Sequence, residues 1–80
     1  MNLNPIKANM NEVTIGDKTV LFSYKTPVAA KILTSEGMTY YKTSKHWSST
    51  TSRHINQWLP KPQEEFGVEE KDQEWFDLLV

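Results

Sequence analysis

The chain has no cysteine and only three glycines among its 80 residues. Without thiols there is no disulfide staple and no thiolate metal site, which agrees with a reducing cytosol. No apolar run approaches the roughly 20 residues that cross a bilayer as a helix. The opening MNLNPIKANMNE lacks the basic-then-apolar layout of a secretion signal and reads as a flexible arm, residues 1–11. There is no Gly-x-Ser-x-Gly elbow, and Ser52 and His54 stand too close in sequence to read as a nucleophile and base that a fold brings together. His46 and His54, eight apart, do not make a His-Glu-x-x-His spacing, so no metal ligand set is expected. These absences point to a protein that is not an enzyme and needs no cofactor.

What is present is aromatic. Three Trp, three Tyr and three Phe in one small domain supply most of a core, at about 150–250 Å² of buried surface each. Charge is divided unevenly. The net charge is −1, yet residues 1–60 hold seven Lys and Arg against three acids, and residues 61–80 hold two against seven. A basic body and an acidic tail are two solvated surfaces that attract each other, or a binding face with its own guard.

The segment 12–24, EVTIGDKTVLFSY, predicts a β-hairpin turning at Gly16-Asp17. That turn sets Ile15 opposite Lys18 and Val13 opposite Val20. Val13, Ile15, Val20, Phe22 and Tyr24 then share one face, and Leu21 is out of place on the other. Pro27 ends the second strand, 28–33 is a third, and 38–43 is a fourth after a three-residue loop, Ser35-Glu36-Gly37. In that register Val28, Ala30, Ile32, Met38 and Tyr40 share a face; a slip of one residue puts Tyr41 inside instead.

Thr51, Ile55, Trp58 and Leu59 follow the spacing of one helical stripe, stopped by Pro60. Val68, Asp72, Trp75, Phe76 and Leu79 follow another, predicting a second helix over 69–79. The expected fold is α+β: an antiparallel sheet of about four strands and one helix over the face carrying Val13, Ile15, Val20, Phe22 and Tyr24. Residues 12–60 form this core, and the acidic tail 61–80 carries the second helix.

The run Ser48 to Ser52 is five hydroxyl side chains in succession. A helix start needs one such residue as its cap, and Ser48 or Ser49 suffices. The surplus, with nearby cations, suggests a phosphate-binding face. Its candidate members are Tyr41, Lys42, Lys45, His46, Trp47, Ser48, Ser49, Thr50 and Arg53, with Tyr41 or Trp47 stacking on a base. The competing surface is the tail, where Trp75, Phe76 and Leu79 are ringed by Glu70, Glu74 and Asp77 as anchors for a protein partner. A third expectation is a homodimer formed through an exposed strand edge at 28–33.

The strings VLFSYKTPVA (20–29), YYKT (40–43) and W-S-x-T-T-S-x-H-I-x-x-W-L (47–59) resemble a group of small uncharacterised proteins encoded by tailed bacteriophages. The resemblance covers about residues 12–60. It implies a setting, the cytoplasm of an infected bacterial host, and brings no catalytic residues. Small phage proteins of this kind bind nucleic acid or modulate host proteins, an analogy of setting rather than of a site.

Overall fold

The structure, a computed structural model, describes residues 2–80. Six strands form one mixed sheet in sequential order: β1 (Asn2–Lys7), β2 (Met10–Ile15), β3 (Lys18–Ser23), β4 (Thr26–Thr34), β5 (Gly37–Thr43) and β6 (Glu69–Lys71). Strands β1 to β5 are an antiparallel meander, and β6 lies parallel to β5. Two helices complete an α+β fold: α1 (Ser49–Trp58) and α2 (Gln73–Asp77). The chain from β5 through α1 to β6 is thus a crossover, the connection that a parallel pair requires.

The β2–β3 hairpin has the expected register, with Val13 opposite Val20 and Ile15 opposite Lys18. Gly16 holds φ of 59°, the left-handed value this tight turn requires. The β4–β5 hairpin departs from expectation. Its loop is two residues, Ser35-Glu36, because Thr34 and Gly37 pair across it. The Thr34 hydroxyl closes this turn, donating to the Gly37 carbonyl at 2.9 Å and accepting from the Glu36 N–H at 3.3 Å. The register therefore slips by one, and Tyr41, opposite Ala30, shares its face in place of Tyr40.

Three further expectations change. Residues 2–7, read as part of a flexible arm, pair with β2 as an edge strand exposed along its length. Residues 28–33, read as a free edge for dimerisation, lie in β4, which is bonded on one side to β3 and on the other to β5. The free edges of the sheet are β1 and β6. The second helix is shorter than 69–79, since Glu69 to Lys71 pair with Tyr41 to Thr43 as β6 before α2 begins.

The sheet is covered on both faces. Over one face α1 packs Ile55 and Leu59 against Met10, Leu21, Val28 and Ala29. Over the other, Phe76 of α2 packs against Val20 and Ala30, with Phe22, Tyr41, Trp75 and Leu79 around them. Helix α1 thus covers the face that carries Leu21, not the face of Val13, Val20 and Phe22. The alternation holds in β2 and β3, but Val28 and Tyr40, expected on the face of Ala30, lie on the α1 side instead, and a second layer covers the other face. Once both faces are covered, successive residues Val20 and Leu21 are both fully buried, and an apolar residue on either face is in place. A bulge in β4 assists. Leu21 pairs with Ala29 and Phe22 with Pro27, so Val28 is the extra residue and joins Ala29 under α1.

Local signals explain the helices. Ser48 is extended and its side chain accepts from the Thr51 N–H at 3.1 Å, capping α1. The Leu59 N–H closes the last turn onto the Ile55 carbonyl, and Pro60 follows. Asp72 caps α2 in the same way, accepting from the Trp75 N–H at 3.0 Å.

Candidate nucleic-acid interface

At its C-terminal end β5 alternates between faces, so Lys42 projects toward α1 while Tyr41 projects toward α2. Lys42 lines a cleft of ≈ 260 Å³ together with Ser44, Lys45 and His46 of the loop, Ser52 and Asn56 of α1, and Glu70 of β6. Ser52 and Asn56 are four apart and share one side of the helix. The Lys42 Nζ donates to Gln63 Oε1 at 2.8 Å, and Gln63 Nε2 donates in turn to Asn56 Oδ1 at 3.0 Å. This relay ties the lysine to the helix through neutral groups. The ammonium of Lys45 lies 4.1 Å from the centre of the Trp47 ring, another neutral partner. Glu70, opposite Lys42 in the register of β5 and β6, is the one carboxylate on the cleft wall.

The loop between β5 and α1 is braced by Gln73. Its Oε1 accepts from the Thr43 hydroxyl and from the Trp47 indole, both at 3.0 Å, and its Nε2 donates to the Pro27 carbonyl at 2.7 Å. One side chain at the start of α2 thus positions β4, β5 and the basic loop together.

The expected binding residues are sorted by this geometry. Lys42, Lys45 and His46 converge on the cleft. Ser48 is the helix cap, and with Trp47 it lines a second cavity. Ser49 and Arg53 are exposed and Thr50 is half-buried, on the outer turns of α1. Tyr41 lies on the opposite face of the sheet, its ring centre 4.8 Å from that of Trp75, so it does not share a surface with Lys42. Ser44, Ser52 and Asn56 complete the cleft and were not anticipated. The spacing of Ser49, Ser52 and Asn56 was the signal that would have found the helical pair.

The tail residues proposed as anchors for a partner differ in exposure. Phe76 is fully buried, and Trp75 and Leu79 pack around it. The Leu79 carbonyl accepts from Lys18 Nζ at 3.0 Å. Glu74 and Asp77 remain exposed, with Asp77 accepting from Gln73 at 3.2 Å, and Glu70 belongs to the cleft.

The second cavity, ≈ 210 Å³, lies on another side of α1, between the β3–β4 turn and Trp47. Beneath it runs a buried polar chain. The Ser23 hydroxyl is 2.8 Å from His54 Nδ1 and 3.0 Å from the Thr51 hydroxyl, and Ser48 donates to Thr51 at 3.3 Å. Burial holds His54 below its ordinary value of 6.5, and the positive charges of Lys7 and Arg53 push the same way. Tyr24, next to Ser23, holds φ of 61° in a two-residue turn, with its N–H donated to the Asn9 carbonyl at 2.7 Å. A left-handed tyrosine costs on the order of 1–3 kcal/mol relative to relaxed backbone.

A family model described as a family of unknown function, DUF8033, matches residues 1–77. The chain belongs to that family. The match takes in β1 and α2 as well as the segments between them, so the edge strand and the docked tail are parts of the DUF8033 unit. No curated protein and no solved structure matches the chain. Among the described residues no helix is long and apolar enough to cross a membrane, and no group of three or more His, Cys, Asp or Glu is placed to hold a metal ion.

Proposed function

We propose that this protein is a small non-enzymatic module that binds nucleic acid through the cleft between β5 and α1. The observation that carries the reading is the convergence of Lys42, Lys45 and His46 with Ser44, Ser52 and Asn56 around one opening. Ammonium, hydroxyl and amide groups are the donors that contact phosphates. Both lysines are held by neutral partners, so a phosphate gains their charge without displacing a carboxylate. Glu70 disfavours an anion on its side of the cleft and directs it toward the loop. The setting attached to this reading, a phage product in the bacterial cytoplasm, rests on the sequence resemblance.

Fluorescence anisotropy with a labelled oligonucleotide tests it. Binding weakens steeply as salt rises, and Lys42→Ala and Lys45→Ala each flatten the slope of log K against log salt by about 0.7–0.9. Absence of a complex at low salt, with single and double strands of both DNA and RNA, refutes the proposal.

A second reading, a factor that binds a host protein, is favoured by a surface other than the tail. Leu3 is 67 % exposed on β1 and lines an apolar groove of ≈ 250 Å³ with Val13, Phe22 and Tyr24. If this groove is the contact, Leu3→Asp abolishes capture of a specific host protein from nuclease-treated lysate without affecting the fold. Retention of that protein by the variant excludes the groove.

A further inference from the structure

The basic cleft and the second cavity are joined by one short stretch of chain. Lys45 and His46 line the first, and the next residue, Trp47, lines the second. Tyr24 lines the second cavity too. Both rings are half open to solvent, Trp47 at 42 % and Tyr24 at 49 %. Thr26 is part of the same lining. A cavity of ≈ 210 Å³ is smaller than a drug-sized pocket, which begins at roughly 300 Å³. It suits one planar ring system.

We infer that this cavity receives an unpaired base of a single strand whose phosphate lies at Lys45 and His46. The inference rests on the nucleic-acid reading and adds to it a preference for single strands and a place for the base. Aromatic rings beside a basic groove are the means by which proteins hold single strands without reading sequence. A paired base inside a duplex cannot enter such a cavity.

The backbone of Tyr24 is the second observation. Its φ of 61° belongs to the region that favours glycine, and the turn itself is satisfied by the backbone bond from Tyr24 to Asn9. Its approach to the His54 ring is distant and tilted, with centres 6.1 Å apart, and it also borders the groove of Leu3, Val13 and Phe22. The fold would accept glycine here more readily than tyrosine. A ring at a strained position, half exposed and lining a cavity, points to a contact outside the chain.

The test compares short oligo-dT and oligo-U, an abasic strand of equal charge and a duplex, by anisotropy at one ionic strength. The base-bearing strands bind about tenfold more tightly than the abasic strand and the duplex. Tyr24→Phe keeps this advantage. Tyr24→Gly loses it and binds at the abasic level, while its thermal transition shows that it still folds. Equal affinity for base-bearing and abasic strands, or a Tyr24→Gly variant that binds oligo-dT as the parent does, overturns the inference. The salt dependence and the Lys42→Ala and Lys45→Ala effects would then still support the cleft alone. Absence of binding by every strand overturns both.

Discussion

The hydroxyl of Ser23, near the end of β3, lies 2.8 Å from Nδ1 of His54 in α1. Both residues are buried, so strand and helix are joined by a polar contact in the midst of an apolar layer. Thr51 shares the same hydroxyl at 3.0 Å. A buried polar group that loses its partner bears its full desolvation cost. Ser23→Ala takes the partner from His54 Nδ1, while Thr51 keeps Ser48, and lowers stability by about 1–3 kcal/mol. Urea unfolding measures this, with an unchanged m-value as the sign that only the native state was altered.

His54 also makes stability depend on pH. Its folded value lies below 6.5, first because burial disfavours the charged ring and then because Lys7 and Arg53 repel it. The unfolded chain therefore takes up this proton before the folded one does. The contribution is fully present above pH 6.5 and is lost as pH falls through the depressed folded value. Glu12, lowered from 4.5 chiefly by the hydrogen bond from the Trp58 indole at 2.9 Å, adds a second loss below 4.5. The urea midpoint is expected to fall from about pH 7 to about pH 5, and His54→Gln is expected to flatten that slope.

The hydroxyl run separates into unequal members. Ser48 accepts from the Thr51 N–H and caps α1, whereas Ser49 is exposed. Ser48→Ala costs about 1 kcal/mol, and Ser49→Ala falls within about 0.5 kcal/mol of zero. Paired thermal melts of the two variants distinguish them.

The acidic tail belongs to the core. Phe76 is fully buried against Val20 and Ala30, so Phe76→Ala costs about 3–5 kcal/mol. In a domain of this size that is a large part of the total stability. A chain ending before Asp72 loses this whole layer and exposes Val20, Ala30 and Tyr41. It is expected to unfold rather than simply release a partner, as circular dichroism would show.

Much of the sheet was legible because its signals are local. Gly16-Asp17 sets a turn by backbone geometry, and the alternation on either side of it sets the register of Val13 against Val20. The start and stop of α1 follow from Ser48 and Pro60, within a few residues of the helix itself. Lys42, Lys45 and His46 were legible as a cationic group since one short segment holds all three. Tyr41 was grouped with Lys42 although neighbours in a strand face opposite sides in any register, and the Ser35-Glu36 loop, read as three residues, put Tyr40 rather than Tyr41 on the face of Ala30. Tyr24 was assigned to a strand face, although the turn places it in left-handed backbone beside a cavity.

The amino-acid order by itself determined the β2–β3 pairing, the limits of α1 and the division between a basic body and an acidic tail, all consequences of neighbours along the chain. Only the tertiary structure decided that the tail closes the second face, that Glu69 to Lys71 join β5 as a parallel strand, and that Ser23 meets His54. These contacts unite residues about thirty to about fifty-six positions apart. They form because apolar surface on both sides of a sheet must be removed from water, and that requirement has no signature in any single segment.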